Sequence, residues 1–204
     1  MSTAATAATA ATAATAVTAV PDDYFASESS SGGCFAGSCR VRMARDDVML
    51  PIADLRRGDL VWTPDGPATI LYAVELRTKA RAQPMTQIGA LTITPWHPIR
   101  RNGEWVFAAH VHGFYDRHVQ TVYNLVLSRG HVIEVEGVEC VTLAHGFQEP
   151  VLKHDFFGTH AVVESMQRQP GFTEGRPVFE NLVATRNEAG VVNGWRDFVR
   201  RDAM

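Results

Sequence analysis

The residue with the clearest chemical potential is Cys34, which begins the patterned part of the chain directly after Gly32-Gly33. Its thiol could attack the carbonyl of Gly33, which carries no side chain to obstruct the approach. Such an attack converts the amide between Gly33 and Cys34 into a thioester. We therefore predict that Gly33–Cys34 is a scissile bond and that Cys34 cuts the chain on its own N-terminal side.

A second group of residues could supply the proton transfer that this cleavage needs. The amide nitrogen must be protonated as it leaves, and a nearby histidine is the usual donor. Thr94-Pro95-Trp96-His97 ends a predicted strand and puts a hydroxyl and an imidazole three residues apart around a proline-bent turn. We expect His97 to protonate or polarise the scissile amide and Thr94 to hold it by hydrogen bonding.

The elements that must position these residues are predicted to be strands. After Cys34 the apolar residues recur with a period near two, between turns that contain Gly, Pro, Asn or Asp. Many short strands at this spacing predict an all-β domain. The predicted strands are 40–43, 49–52, 60–63, 68–77, 90–94, 104–108, 121–127, 131–135, 138–143 and 176–183, and short helices are predicted over 161–169 and 193–201.

The composition divides the chain into three parts. Residues 1–33 are a Thr/Ala repeat followed by a Ser/Gly linker, and we predict that this tail is disordered. Residues 34–164 are the strand-patterned domain. Residues 165–204 are predicted to be a small mixed C-terminal extension to which the sequence assigns no role.

Composition also excludes several classes of function. Of the 204 residues 46% are hydrophobic and 20% charged, which is enough to bury a core. A net charge of −3 and a pI of about 6.2 do not favour nucleic acid as a partner. No apolar run approaches the roughly 20 residues of a membrane span. Three cysteines and no basic leader predict an intracellular, cytoplasmic protein, and neither a metal nor a cofactor is expected.

Four motifs in order resemble the Hint module of inteins, Hedgehog autoprocessing domains and bacterial intein-like domains. They are Cys34-Phe35, Leu50-Pro51-Ile52-x-Asp54-Leu55-x-x-Gly58-Asp59-x-Val61, Thr94-x-x-His97-Pro98 and Gly137-Val138-x-x-Val141-x-Leu143-x-His145. The stretches CFAGSC, PWHPIR, GEWVFAAHV, GHVIEVEGVECVTLAHGF and FFGT more narrowly resemble the Vint subfamily, the Hint domains of von Willebrand A-containing proteins. The resemblance implies a pseudo-twofold β horseshoe, with Cys34 as nucleophile of an N–S acyl shift assisted by His97 and Thr94.

Two departures from the relatives restrict the reaction that the resemblance implies. Inteins end in His-Asn, whereas His145 is followed by Gly146, so no asparagine can cyclise and full splicing is not expected. Hedgehog domains use an Asp to activate cholesterol, and the nearest position here is Val74, beside which Glu75 is a possible substitute. The substrate is then the chain's own N-terminal segment, with water, a thiol or an amine as acceptor.

Other interpretations of the same residues stay open at this stage. The domain is alternatively an inactive Hint fold kept as a binding or scaffold module, or a cysteine hydrolase that acts on other molecules through Cys34 and His97. Cys39 is a candidate for a redox pair with Cys34 or Cys140, or for metal binding. Cys140 either lines the site or belongs to the core, and His145 is a possible site residue.

Overall fold

The structure is a computed structural model that describes residues 33–45, 48–77, 82–180, 182–188 and 190–197. Strands dominate these residues, as the period of two predicts. The strands are β1 (Phe35–Ala36), β2 (Arg40–Arg42), β3 (Met49–Pro51), β4 (Leu60–Val61), β5 (Ala68–Arg77), β6 (Gln83–Ile88), β7 (Leu91–Ile93), β8 (Pro98–Arg101), β9 (Glu104–Phe107), β10 (Tyr115–Arg117), β11 (Thr121–Leu127), β12 (Val132–Val135), β13 (Val138–Val141), β14 (Val178–Glu180), β15 (Leu182–Arg186) and β16 (Val192–Asp197). Two short α-helices among these residues are α1 (Ala108–His112) and α2 (Ala161–Met166).

Three sheets are formed within the described residues. The largest has eight strands in the order β10-β6-β7-β1-β11-β5-β14, with β4 also paired to β5. A six-stranded sheet has the order β3-β2-β12-β13-β8-β9, and β15 pairs with β16. The pairing between these strands is antiparallel except between β14 and β5. The prediction of an all-β domain is confirmed.

The two-residue strand β1 lies in the middle of the large sheet, between β7 and β11. Phe35 pairs with Ile93 on one side and with Tyr123 on the other. Phe35, Ile93 and Leu125 are all fully buried in the core. Because both of its neighbours are longer strands, the two-residue strand β1 is hydrogen-bonded on both sides.

Several element boundaries differ from the predictions. The strands Ala68–Arg77 and Thr121–Leu127 agree with them, whereas β1 was not predicted and Ala108 begins a helix instead of ending a strand. The predicted helix over 193–201 is wrong where it can be compared. Val192–Asp197 is a strand paired with Leu182–Arg186, because backbone hydrogen bonds of Asn187 with Gly190 and Val191 bring the two segments together as a hairpin.

The C-terminal segment packs onto the main sheet. β14 extends the sheet beside β5, and Phe179 is 1% exposed. Glu75 accepts hydrogen bonds from Arg77 and from Arg176, at the start of this segment. The division of the chain at residue 164 stays a prediction, and the predicted tail over 1–32 lies outside the described residues.

Candidate functional site

Strand register puts Cys34 between two polar side chains. Extending the β1–β7 and β1–β11 registers by one residue places Cys34 opposite Thr94 on one side and Asn124 on the other. The N–H of Cys34 donates to Oγ1 of Thr94 over 2.8 Å, and the N–H of Thr94 donates to the carbonyl of Cys34 over 2.9 Å. The nitrogen of the predicted scissile amide is therefore held by Thr94.

The carbonyl of the same amide is hydrogen-bonded by Asn124, a residue that the sequence analysis did not identify. Nδ2 of Asn124 donates a hydrogen bond to the carbonyl oxygen of Gly33. The amide plane of Asn124 is oriented by its other end, since Oδ1 accepts the N–H of Leu125 over 2.7 Å. A signal was present in the sequence, because Asn124 is the polar residue inside the apolar run from Val122 to Leu127. Its 2% exposure shows that the amide is buried.

The third side chain at this amide is His97, which the turn after β7 brings back toward β1. The His97 N–H donates to the carbonyl of Thr94, and the His97 carbonyl accepts the N–H of Ala108 at the start of α1. Its Nε2 lies 2.8 Å from the carbonyl oxygen of Val141. A carbonyl only accepts, so Nε2 carries the proton and Nδ1 of the neutral ring is a base.

Burial controls the protonation of these groups. Burial raises the pKa of the Cys34 thiol well above its ordinary value. Burial, with a smaller contribution from His145, lowers the pKa of His97 to about 4, although hydrogen bonding to the backbone of Val141 and Gly33 opposes this shift. Nδ1 of His97 lies against Gly33 and makes no hydrogen bond of normal geometry with the described residues. At neutral pH the site therefore holds a neutral thiol and a neutral imidazole.

The family model that matches the sequence is Vint, described as a Hint-domain, and it spans residues 33–194, most of the chain. The chain belongs to the Vint family of Hint domains. This confirms the resemblance inferred from the motifs, and with it the Hint fold. The matched range of the Vint domain begins one residue before Cys34 and includes β14 and β15. No curated protein matches the chain significantly.

Several solved structures of inteins and an intein-like domain have low similarity to this Vint domain. The gp41-1 intein is 11% identical, covering 55% of this chain and 100% of its own, with a TM-score of 0.44. A DnaB intein from Synechocystis sp. PCC 6803 is 10% identical, covering 54% and 99%, with a TM-score of 0.45. A bacterial intein-like domain from Clostridium thermocellum is 16% identical, covering 53% and 97%, with a TM-score of 0.42.

The other candidate site residues of the Vint domain are Cys140, His145 and Glu75. Cys140 is fully buried in β13, where its thiol lies 3.5 Å from the carbonyl oxygen of Val138. Nδ1 of His145 accepts the N–H of Phe147, and burial lowers the pKa of His145 to about 4. The carboxylate of Glu75 is engaged by Arg77 and Arg176. Catalytic roles for these three residues stay predictions.

Cys34, Cys39 and Cys140 are all buried, and none of them forms a disulfide. The thiol of Cys39 lies 3.3 Å from both the carbonyl oxygen and the nitrogen of Thr92. Within the part of the chain that the structure describes, no three His, Cys, Asp or Glu side chains are grouped so as to hold a metal ion. Among the same residues, no helix has the length and apolar character needed to cross a bilayer.

Burial also bears on the hydrolase interpretation. Cys34 is 1% exposed and His97 is 1% exposed. In this conformation neither side chain is therefore open to a substrate from solution. The Gly33 carbonyl, which precedes Cys34 in the same chain, is already held in place by Asn124.

Proposed function

We propose that this Vint domain cuts its own chain between Gly33 and Cys34 by an N–S acyl shift, without splicing. The observation that carries the proposal is that the amide is held from three directions. Thr94 accepts its N–H, Asn124 donates to its carbonyl, and the imidazole of His97 lies against Gly33. Its substrate is the segment from Met1 to Gly33.

The first step is attack of the Cys34 thiol on the carbonyl carbon of Gly33. Because the thiol is neutral at pH 7, it must lose its proton as its sulfur attacks. The neutral imidazole of His97 accepts that proton at Nδ1 and remains anchored through Nε2–H to Val141. Negative charge develops on the Gly33 oxygen, where the Asn124 amide donates a hydrogen bond and stabilises it.

The second step is departure of the Cys34 nitrogen. The protonated Nδ1 of His97 returns its proton to that nitrogen while the carbon–nitrogen bond breaks. The Gly33 acyl group is then bound to sulfur as a thioester, and Cys34 has a free α-amine, so no proton is gained or lost overall. Water, a thiol or an amine attacks the thioester, which releases the N-terminal segment and restores the Cys34 thiol.

The decisive experiment is the intact mass of freshly expressed protein with and without dithiothreitol or hydroxylamine. We expect loss of Met1–Gly33, accelerated by either nucleophile, in the wild type. Cys34→Ala removes the nucleophile and should stay uncut under every condition, whereas Cys39→Ala removes a thiol held by Thr92 and should still be cut. Folding of each variant is checked by circular dichroism.

Two results would contradict this proposal. A Cys34→Ala protein that is cut at the same bond would show that another group is the nucleophile. A folded wild type that stays uncut with and without nucleophiles would instead support the inactive scaffold interpretation.

A further inference from the structure

Residue 33 has no space for a side chain on the side that faces His97. A β-carbon added to Gly33 would lie 2.3 Å from both Cγ and Nδ1 of His97, and 2.7 Å from its Cβ. Optimal contact between carbon atoms is about 3.5–4.0 Å, so this is a severe overlap. The α-carbon of Gly33 therefore packs directly on the imidazole.

The imidazole cannot move away without losing its own contacts. His97 is 1% exposed, and its Nε2 is tied to the Val141 carbonyl at 2.8 Å. Its ring centroid is 4.5 Å from that of Phe35. Side chains two residues apart on an extended chain point to the same side, which is why Phe35 and any side chain on residue 33 meet the same ring. A larger residue 33 would push His97 off the scissile amide.

The backbone at residue 33 does not by itself require glycine. Eleven other glycines of the described residues have positive φ, and Gly33 is not among them. An L-residue could therefore adopt the backbone conformation of Gly33 without strain. The restriction arises from the neighbouring imidazole.

We infer that His97 restricts the residue before Cys34 to glycine. This inference rests on the proposed self-cleavage and defines its substrate class: segments that end in glycine, released through a glycyl thioester. The side chain that transfers the proton thus also selects the acyl group. A larger residue 33 fails because it displaces Nδ1 of His97 from the amide.

Selectivity for glycine at residue 33 is tested by replacing Gly33 with Ala, Ser or Val and measuring the rate of dithiothreitol-induced cleavage. The matched control is Gly32→Ala, which makes the same chemical change one residue earlier. We expect Gly33→Ala to be slower than the wild type by about 100-fold, the loss typical of a misplaced catalytic group, with Val at least as slow as Ala. Gly32→Ala should cut at the wild-type rate. Thermal unfolding verifies that each variant is folded.

Failure of this inference differs from failure of the proposed cleavage. If the wild type cuts and Gly33→Ala cuts equally fast, the selectivity is wrong and the cleavage mechanism stands. If the wild type is never cut, the cleavage proposal fails, and the proposed substrate class fails too because it depends on cleavage.

The steric contact has its own test in the uncut Cys34→Ala protein. Adding Gly33→Ala should move the ring resonances of His97 in a nuclear magnetic resonance spectrum. It should also raise the pKa of His97 from about 4 toward its ordinary value as the ring is displaced toward water. Unchanged resonances and an unchanged pKa would overturn the inference.

Discussion

The backbone N–H of Cys34 donates a 2.8 Å hydrogen bond to the hydroxyl of Thr94, 60 positions further along the chain. Thr94→Val removes this acceptor with little change in shape and leaves a buried N–H unpaired. We expect thiol-induced cleavage to slow about 10- to 100-fold, which corresponds to the roughly 1–3 kcal/mol penalty of an unsatisfied buried group. Thr94→Ser keeps the hydroxyl and should retain most of the rate. Equal rates for Val and Ser would show that the hydrogen bond does not assist the reaction.

Asn124→Asp separates the two hydrogen bonds of the Asn124 side chain. An aspartate still accepts the N–H of Leu125 but no longer donates to the Gly33 carbonyl. We expect cleavage to slow by about 10²–10³, as when one oxyanion donor is removed. Asn102→Asp, on an exposed turn, is the matched control and should cut normally. The measurement is the rate of single-turnover cleavage, followed by intact mass. An Asn124→Asp protein that is cut at the wild-type rate would show that hydrogen-bond donation by Asn124 does not assist cleavage.

Two buried histidines make the stability of the domain sensitive to acid. Burial lowers the pKa of His97 and His145 to about 4, whereas the unfolded chain has the ordinary value near 6.5. Between these values the unfolded state binds more protons, so the free energy of unfolding falls as pH decreases from 6.5 toward 4. The expected slope is at most about 1.4 kcal/mol per pH unit for each histidine.

Urea unfolding of the uncut Cys34→Ala protein at several pH values measures this slope. His145→Gln should reduce the slope, whereas His112→Gln, which changes an exposed histidine, should leave it unaltered. His131 and His154 have lowered pKa values as well and add to the total in the same direction. A stability that does not change between pH 7 and pH 4.5 would contradict the prediction.

Replacing Cys140 tests whether a second thiol takes part in cleavage. It is fully buried in β13, next to Val141, whose carbonyl anchors His97. Cys140→Ala should lower the free energy of unfolding modestly, by about 1 kcal/mol for the lost buried volume, while cleavage of the folded protein continues. The comparison combines thermal unfolding with intact mass after dithiothreitol. Loss of cleavage without loss of folding would give Cys140 a role in the site.

Variants of the ion pairs of Glu75 test whether these pairs stabilise the packing of the C-terminal segment on the sheet. The side chain of Glu75 is 6% exposed and accepts hydrogen bonds from Arg77 and Arg176, which lower its pKa despite the opposing effect of burial. Arg176→Met removes one partner and leaves part of the carboxylate uncompensated, and we expect a loss of about 3 kcal/mol in the free energy of unfolding. Glu180→Gln changes an exposed partner of Arg77 and should have little effect. Equal stability of the two variants would show that the ion pair between Arg176 and Glu75 does not hold the C-terminal segment on the sheet.

Much of the fold was predictable because its pattern is local. Alternation of apolar and polar residues identified Ala68–Arg77 and Thr121–Leu127 with their observed bounds. Strand β1 was missed because its two residues are too few to show a period, and its pairing comes from strands far away in the chain. The predicted helix over 193–201 is wrong over the described residues 193–197 for a similar reason. Helical spacing of a few apolar residues was weaker than pairing with the strand Leu182–Arg186.

The candidate site was likewise predictable from the sequence only in part. Residue types and spacing predicted Cys34, Thr94 and His97 as site residues, because a thiol, a hydroxyl and an imidazole are chemically distinctive, and the resemblance of the motifs indicated the Hint family. Only the tertiary structure brought Asn124 to the Gly33 carbonyl and placed the imidazole against Gly33. The physical reason is that strand register and burial are set by pairing across the whole sheet. A single sequence position therefore reveals neither the neighbour a side chain will meet nor the protonation state it will have.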